Sequence, residues 1–248
     1  MTTPHFTYSA PAATSTPTLV LVHSAGGGLL DWPAELRQHP GVIALDLPGH
    51  GQSPPPGCTN IDDYADAVMR VIEAVRPARY VVVGHSMGGA VAQTLALRAA
   101  PGLSGLVLIG TGARMRVAPA ILAHARDRLD VVAEAIATYG WGPQSRANDI
   151  AAWRARFLQT DPLVVYHDFL ACDQFDNLER LGQIQTPTLV MVGRYDQMTP
   201  LKYGRYLAEH LPRAELVTFE NDGHMLPMEN PDHLRQAIFE WLARGERS

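Results

Sequence analysis

At 248 residues, with 46% hydrophobic and 18% charged side chains, the chain has the composition of a protein with a sizeable buried core, which excludes a disordered polypeptide. Its formal net charge of −5 argues against nucleic acid or an anionic membrane surface as a partner. The two cysteines, Cys58 and Cys172, lack metal-ligand spacing and indicate no disulfide framework, and the first residues carry neither a basic segment nor an apolar run long enough for a signal peptide or membrane span, so a soluble cytoplasmic protein is expected.

In chain order, the first strand candidates are "TLVLVH" (18–23) and "VIALD" (42–46), both apolar almost throughout, as suits strands buried on two faces of a parallel sheet. A helix follows over 61–76, with Ile61, Tyr64, Ala65, Val68, Ile72 and Val75 on one face, a capping-box pattern at Asn60 and Asp63, and Pro77 as the stop. The strand "YVVVG" (80–84) runs directly into a segment of small and helix-favouring residues, and "GLVLIG" (105–110) comes next. Between Thr111 and Gly182 only helical patterns appear, such as "AILAHARDRLDVVAEAIATYG" and "DIAAWRARFLQT". So much helix between two strands is too long for one crossover and predicts an excursion that covers one end of the sheet. Strands resume at "TLVMVG" (188–193) and "ELVTFE" (215–220). A last helix is predicted with Asn230 as its cap, Pro231 at its first position, and Leu234, Ile238, Trp241 and Leu242 as its buried stripe. Alternation of this kind predicts an α/β fold with a mostly parallel, doubly wound sheet. In such sheets, ligands bind beyond the carboxyl ends of the strands.

The junction "VVVGHSMGG" concentrates the chemistry. A serine held between a buried strand and a helix start has its hydroxyl at the carboxyl edge of the sheet, and close passage of neighbouring backbone requires small residues two before and two after. Gly84 and Gly88 meet that need around Ser86. The helix N-terminus behind it directs unpaired N–H groups at a developing anion.

With this elbow, the segments "LVHSAGGG", "DLPGHGQS", "VGRYDQMTP" and "NDGHMLPMENP" occur in an order that resembles the α/β-hydrolase fold family over nearly the whole chain. The resemblance implies a core domain of residues 1–110 and 183–248, with a helical cap, 111–182, inserted late in the sheet. It also implies a Ser-His-Asp triad. Ser86 is the nucleophile, which needs a base because an alcohol is inert at neutral pH. Of the ten histidines, His224 in the Gly-flanked loop after the last strand matches the family's base. His85 adjoins the nucleophile and is expected to point away, His50 is a strand-end loop residue, and His124, His167, His210 and His233 sit in helical patterns. Asp196, three residues beyond its strand, orients and charge-balances the imidazole. The other position used in the family reads Gly110-Thr111-Gly112 here and has no carboxylate, and Asp222 would have to fold back on the base's own loop. The oxyanion hole implied is the amides of Met87 and Ala25. Ser24 departs from the glycine usual after His23, a feature associated with enol-lactone hydrolases of the same fold.

Around these residues Ser24, Trp32, Met115, Trp141, Trp153 and Met225 are candidates for a substrate pocket, and no paired arginines converge to clamp an anion. The expectation is a serine carboxylesterase acting on a small-molecule ester with a small to medium, mainly apolar acyl group, without metal or organic cofactor, as a monomer or homodimer. A lactonase or a carbon–carbon bond hydrolase would use the same triad. A ligand-binding protein with a silent triad is the alternative from another class.

Overall fold

The computed structural model describes residues 2–10 and 16–245, so the outermost positions of the expected core, 1, 11–15 and 246–248, lie outside the described residues. Seven strands make one sheet: β1 (Phe6–Ser9), β2 (Thr18–Val22), β3 (Val42–Leu45), β4 (Tyr80–His85), β5 (Leu103–Ile109), β6 (Thr188–Gly193) and β7 (Ala214–Phe219). Their spatial order is β1-β3-β2-β4-β5-β6-β7, and every neighbouring pair is parallel except β1 against β3. The chain winds outward from β2 to β3 and then crosses to β4 on the other side, so the topological switch point lies between β2 and β4.

Side chains alternate across this sheet, as the pleat requires. Val20, Val22, Val82 and Leu108 face α2 (Ile61–Val75), α3 (Met87–Leu97) and α8 (Leu201–His210). Leu19, Leu21, Val83 and Ile109 face α1 (Ala34–Arg37), α9 (Leu226–Glu229) and α10 (Pro231–Gly245). Each such side chain removed fully from water contributes about 1.5–3 kcal/mol, which explains why the central strands are apolar on both faces. At the start of α2 the Asp63 N–H donates to Asn60 Oδ1 at 2.8 Å. The return bond comes from the Asn60 side-chain amide to the Asp63 carboxylate, 2.8 Å, so the box closes between side chains. Arg76 turns left-handed at φ 55° and ends the helix before Pro77. In α10, Leu234, Ile238 and Trp241 are buried as expected, whereas Leu242 is half-buried at the rim of its cluster.

Between β5 and β6 lie α4 (Pro119–Ala125), α5 (Leu129–Tyr139), α6 (Ala147–Phe157), α7 (Pro162–Gln174) and a 3-10 turn, Leu178–Gln183. The pattern over 120–140 is two helices because Arg128 leaves helical geometry at φ −138°, ψ 58°, which lets Ala125 and Leu129 both face inward. These helices share a third apolar cluster that includes Ile136, Trp153, Phe157 and Phe169 and reaches Met225, just beyond β7. An antiparallel bridge between Arg114 and Asp176 closes the neck of the excursion.

Candidate active site

Ser86 occupies the single residue between β4 and α3, at φ 53° and ψ −112°. A non-glycine residue there stores on the order of 1–3 kcal/mol of strain and persists only where its surroundings over-determine it. Here its N–H donates to the Ile109 carbonyl at 2.8 Å, and its own carbonyl accepts from the Gly89 N–H at 2.9 Å. The flanking glycines are steric necessities. A Cβ on Gly84 would lie 2.2 Å from the Gly88 carbonyl oxygen, and one on Gly88 would lie 2.1 Å from the Val22 carbonyl oxygen, the end of β2. The switch point thereby brings the serine against the loop that leaves β2.

Asp196 and His224 meet on the same edge. Asp196 Oδ2 accepts His224 Nδ1–H at 2.8 Å, and both side chains are buried. A carboxylate only accepts, so the proton sits on Nδ1 and Nε2 keeps a lone pair. Thr199, absent from the sequence-derived set, completes the arrangement. Its hydroxyl donates to Asp196 Oδ2 at 2.7 Å and lies 3.1 Å from His224 Nδ1. Asp196 Oδ1 accepts the N–H groups of Met198 and Thr199 at 2.8 and 2.7 Å. Burial raises the Asp196 pKa, but His224 and the Thr199 hydrogen bonds outweigh it and hold the carboxyl below its ordinary value. The helix-start turn and the contact to the imidazole are thus two uses of one carboxylate.

The His224 loop is tied to the excursion. Its N–H and that of Met225 both donate to the Gly140 carbonyl, at 2.7 and 3.1 Å. Glu229 accepts the N–H groups of Gly142 and Gly223 and the Ser145 hydroxyl, at 2.6, 3.0 and 2.7 Å. Burial raises the Glu229 pKa against those bonds. His85 does not reach toward solvent; its Nε2–H donates to the His224 carbonyl at 2.8 Å. Burial and the neighbouring His224 push its pKa down to about 3, which keeps it neutral. Asp222 accepts from the Asn230 amide at 3.0 Å.

On the other side of Ser86, the loop after β2 is organised by His23. The Leu47 N–H donates to His23 Nε2 at 2.9 Å, which fixes the proton on Nδ1, and Nδ1–H donates to the Ser24 carbonyl at 2.8 Å. Burial and the nearby His50 lower its pKa to about 4. The same Ser24 carbonyl accepts the Gly27 N–H at 3.1 Å. A peptide is planar, so two bonds on the Ser24 C=O also set the direction of the Ala25 N–H. The N–H groups of Gly26, Gly28 and Leu29 are engaged by Asp168, Asp31 and Asp46, at 2.7, 3.0 and 2.8 Å.

A cavity of about 310 Å³ opens over these groups, walled by Ala25, Ser86 and His224 on the sheet side and by residues such as Met115, Ile121 and Ile136 from the excursion. A much smaller recess, about 20 Å³, adjoins it and is lined by Ser24, Trp153, Phe169 and Met225 among others. Of the pocket candidates, Met115 therefore lines the large cavity, and Ser24, Trp153 and Met225 the recess. Trp32 and Trp141 line neither, which corrects the sequence expectation. Trp32 packs in the core on the α10 side of the sheet, 6.5 Å edge-on to His85. Trp141 stacks edge-on to Trp153 at 6.1 Å, and its backbone is what meets Gly223. One arginine, Arg116, reaches the large cavity, with its guanidinium donating to the Asp173 carbonyl at 2.6 Å. Both cysteines are free and buried. Among the described residues no group of three or more His, Cys, Asp or Glu is arranged to hold a metal ion, and no helix is long and apolar enough to cross a membrane.

Residues 19–236 match the family model described as the alpha/beta hydrolase family. A Pseudomonas syringae protein that provisionally bears the name carbamate hydrolase RutD is 31% identical, with 92% of this chain and 94% of that one covered. Among solved structures, a thermophilic esterase superposes with a TM-score of 0.83 at 35% identity, covering 92% of this chain and 90% of its own. The enol-lactonase of Burkholderia xenovorans LB400 gives 0.88 at 26% identity, with 96% of both chains covered.

Proposed function

The chain belongs to the alpha/beta hydrolase family, and from that premise we propose that it is a serine carboxylesterase with Ser86, His224 and Asp196 as its triad. The observation that carries the reading is the pairing of His224 Nδ1 with Asp196 Oδ2 on the wall of a cavity that also holds Ser86 in its strained turn. In this reading the lone pair of Nε2 takes the Ser86 proton as Oγ attacks the ester carbonyl, and the imidazolium is stabilised by Asp196. In the same reading the amides of Ala25 and Met87 receive the tetrahedral oxyanion: Met87 opens α3, whose first N–H groups have no partner within the helix, and Ala25 lines the cavity in a loop where the N–H groups of Gly26 to Leu29 are engaged elsewhere. His224 returns the proton to the leaving alcohol, and water then attacks the acyl-enzyme by the same route. Residues 111–182 act as a cap over a core made of 1–110 and 183–248. The mainly apolar cavity of about 310 Å³ suits a small to medium acyl group, being near the small end for ligand sites.

The test is hydrolysis of a p-nitrophenyl ester series from acetate to palmitate, with Ser86→Ala as the blank. The expected result is a maximum at short or medium chains and a loss of about 10⁴-fold or more in the variant. Near-native turnover by Ser86→Ala overturns the assignment. The likeness to an enol-lactonase favours lactones as the second substrate class, so a small enol-lactone belongs in the same series. A fluorophosphonate that fails to label Ser86 would leave a binding protein with a silent triad.

A further inference from the structure

Outside the triad, three separate parts of the fold meet at Asp168, a carboxylate in the middle of α7 that is 0% exposed. Its Oδ2 accepts the Gly26 N–H at 2.7 Å and His50 Nε2–H at 2.8 Å, and its Oδ1 accepts the Tyr64 hydroxyl. The other ring nitrogen of His50 faces the Pro48 carbonyl at 3.1 Å, so both nitrogens meet acceptors, an arrangement that favours the protonated ring against Asp168. All three partners come from outside the excursion, whereas Asp168 belongs to it.

Gly26 is the residue after Ala25, and the excursion holds it on three sides. Asp168 takes its N–H, the Thr160 hydroxyl donates to its carbonyl at 3.1 Å, and the Phe157 ring fills the space where a Cβ would stand, 2.4 Å away. Gly26 itself is left-handed at φ 65°, the bend that lets the Ser24–Gly27 turn close. The Ser24–Ala25 peptide is fixed at its near end by His23, and its far end depends on where Gly26 is held.

We propose that Asp168 is a positioning residue that orients the Ala25 amide, so that the helical excursion completes the oxyanion hole rather than merely roofing the cavity. The proposal rests on the esterase reading above. Its ligand is the tetrahedral, anionic form of the ester, which alone needs that amide in place; ground-state ester binding depends on the apolar walls.

The experiment compares wild type with Asp168→Ala, Asp168→Asn and Thr160→Val. Four readouts are taken: kcat and KM on the best p-nitrophenyl ester per fluorophosphonate-titrated site, Ki for an alkylboronic acid that forms a tetrahedral anion on serine, and hydrogen exchange of residues 24–28. In Asp168→Ala, kcat falls about 10- to 100-fold and Ki rises by a like factor, KM stays within about threefold, and exchange in 24–28 speeds up. Asp168→Asn keeps an oxygen for Gly26 and recovers most of the loss. Thr160 is half-buried and leaves no buried charge behind, so Thr160→Val folds even if Asp168→Ala does not, and its smaller loss in kcat again appears in Ki and not in KM. Folded Asp168→Ala with wild-type kcat and Ki overturns the proposal, as does faster exchange without any change in kcat or Ki. If Asp168→Ala does not fold, Thr160→Val with unchanged kcat and Ki does the same. Wild-type protein without Ser86-dependent turnover overturns the functional reading itself, a result distinguishable from both.

Discussion

Asp196→Asn separates the charge of Asp196 from its shape, and the hydrogen bonds around it dictate the outcome. The carboxylate receives two backbone N–H groups on Oδ1 and two side-chain groups, Thr199 Oγ1 and His224 Nδ1, on Oδ2. Asparagine offers one oxygen. The amides of Met198 and Thr199 are fixed donors, so that oxygen is drawn to the Oδ1 site and the NH₂ takes the Oδ2 site. There it faces His224 Nδ1 as a donor, and Nδ1 must become an acceptor. The imidazole proton moves to Nε2, the nitrogen that our reading turns toward Ser86, and the serine meets a donor where it needs a base. The turn at 196–199 and the side-chain volume are kept, so folding and KM change little. A wrong tautomer of this kind costs about 10⁴-fold in kcat. At about 1.36 kcal/mol per tenfold, that corresponds to about 5.5 kcal/mol of lost transition-state stabilisation. The assay is kcat on a p-nitrophenyl ester per titrated site, together with the ¹⁵N shifts of His224. A kcat within tenfold of wild type, or a His224 proton still on Nδ1 in the variant, refutes the reasoning.

Acid should weaken the fold well above the carboxylate range. His23 and His85 are buried and neutral, with pKa values lowered to about 4 and about 3, so the unfolded chain binds their protons first. Their contribution is present in full above about 6.5 and is lost as pH falls toward the folded values; from pH 7 to pH 5 each costs about 2 kcal/mol. His50 is shifted the other way: burial lowers its pKa, but Asp168 and the carbonyls of Pro48 and Leu47 together outweigh that. Its contribution is complete below about 6.5 and is eroded as pH rises above that, so on acidification it offsets part of the loss; urea unfolding should lose about 3 kcal/mol between the two pH values, and a loss under 1 kcal/mol contradicts this account. Gly88→Ala forces a Cβ against the Val22 and His23 carbonyls, at 2.1 and 2.9 Å if nothing moves. Overpacking against backbone costs about 1–3 kcal/mol or more, and because His23 begins the loop we propose for the oxyanion hole, kcat should fall at least about 100-fold in whatever folds; a variant with wild-type melting temperature and kcat speaks against that contact.

What could be read from the sequence was what short-range constraints impose. The central strands announce themselves because both faces are buried, so every residue from Thr18 to Val22 is apolar or small. The elbow does so because the contacts of Gly84 and Gly88 belong to one turn and the strand beside it. β1 was invisible because Phe6–Ser9 is a half-exposed edge that becomes a strand only by pairing with β3. Trp32 is a pocket candidate because it lies near a predicted site loop, and Trp141 because the helical excursion carries it, but their rings turn into the sheet core and the Trp153 cluster instead.

Asp168 shows the limit of that kind of reading. Its partners, Gly26, His50 and Tyr64, lie 142, 118 and 104 positions away, so no spacing rule links them. Yet the sequence did contain one signal. The run "PLVVYHDFLACDQ" puts apolar residues on more than one side of α7, and Val164, Val165, Asp168, Phe169, Ala171 and Cys172 are all buried. Asp168 stands in the middle of that buried stripe, with Val164, Val165, Ala171 and Cys172 a turn away on either side, whereas Leu163 is exposed and Tyr166, His167, Leu170 and Asp173 are half-buried on the other side of the helix. An ionised group without water must find several donors or a cation, so an acid in the middle of an apolar stripe is evidence that donors converge from elsewhere in the fold. Here they come from the loop after β2, the loop after β3 and the first turn of α2, which join the excursion to the edge of the sheet that carries Ser86.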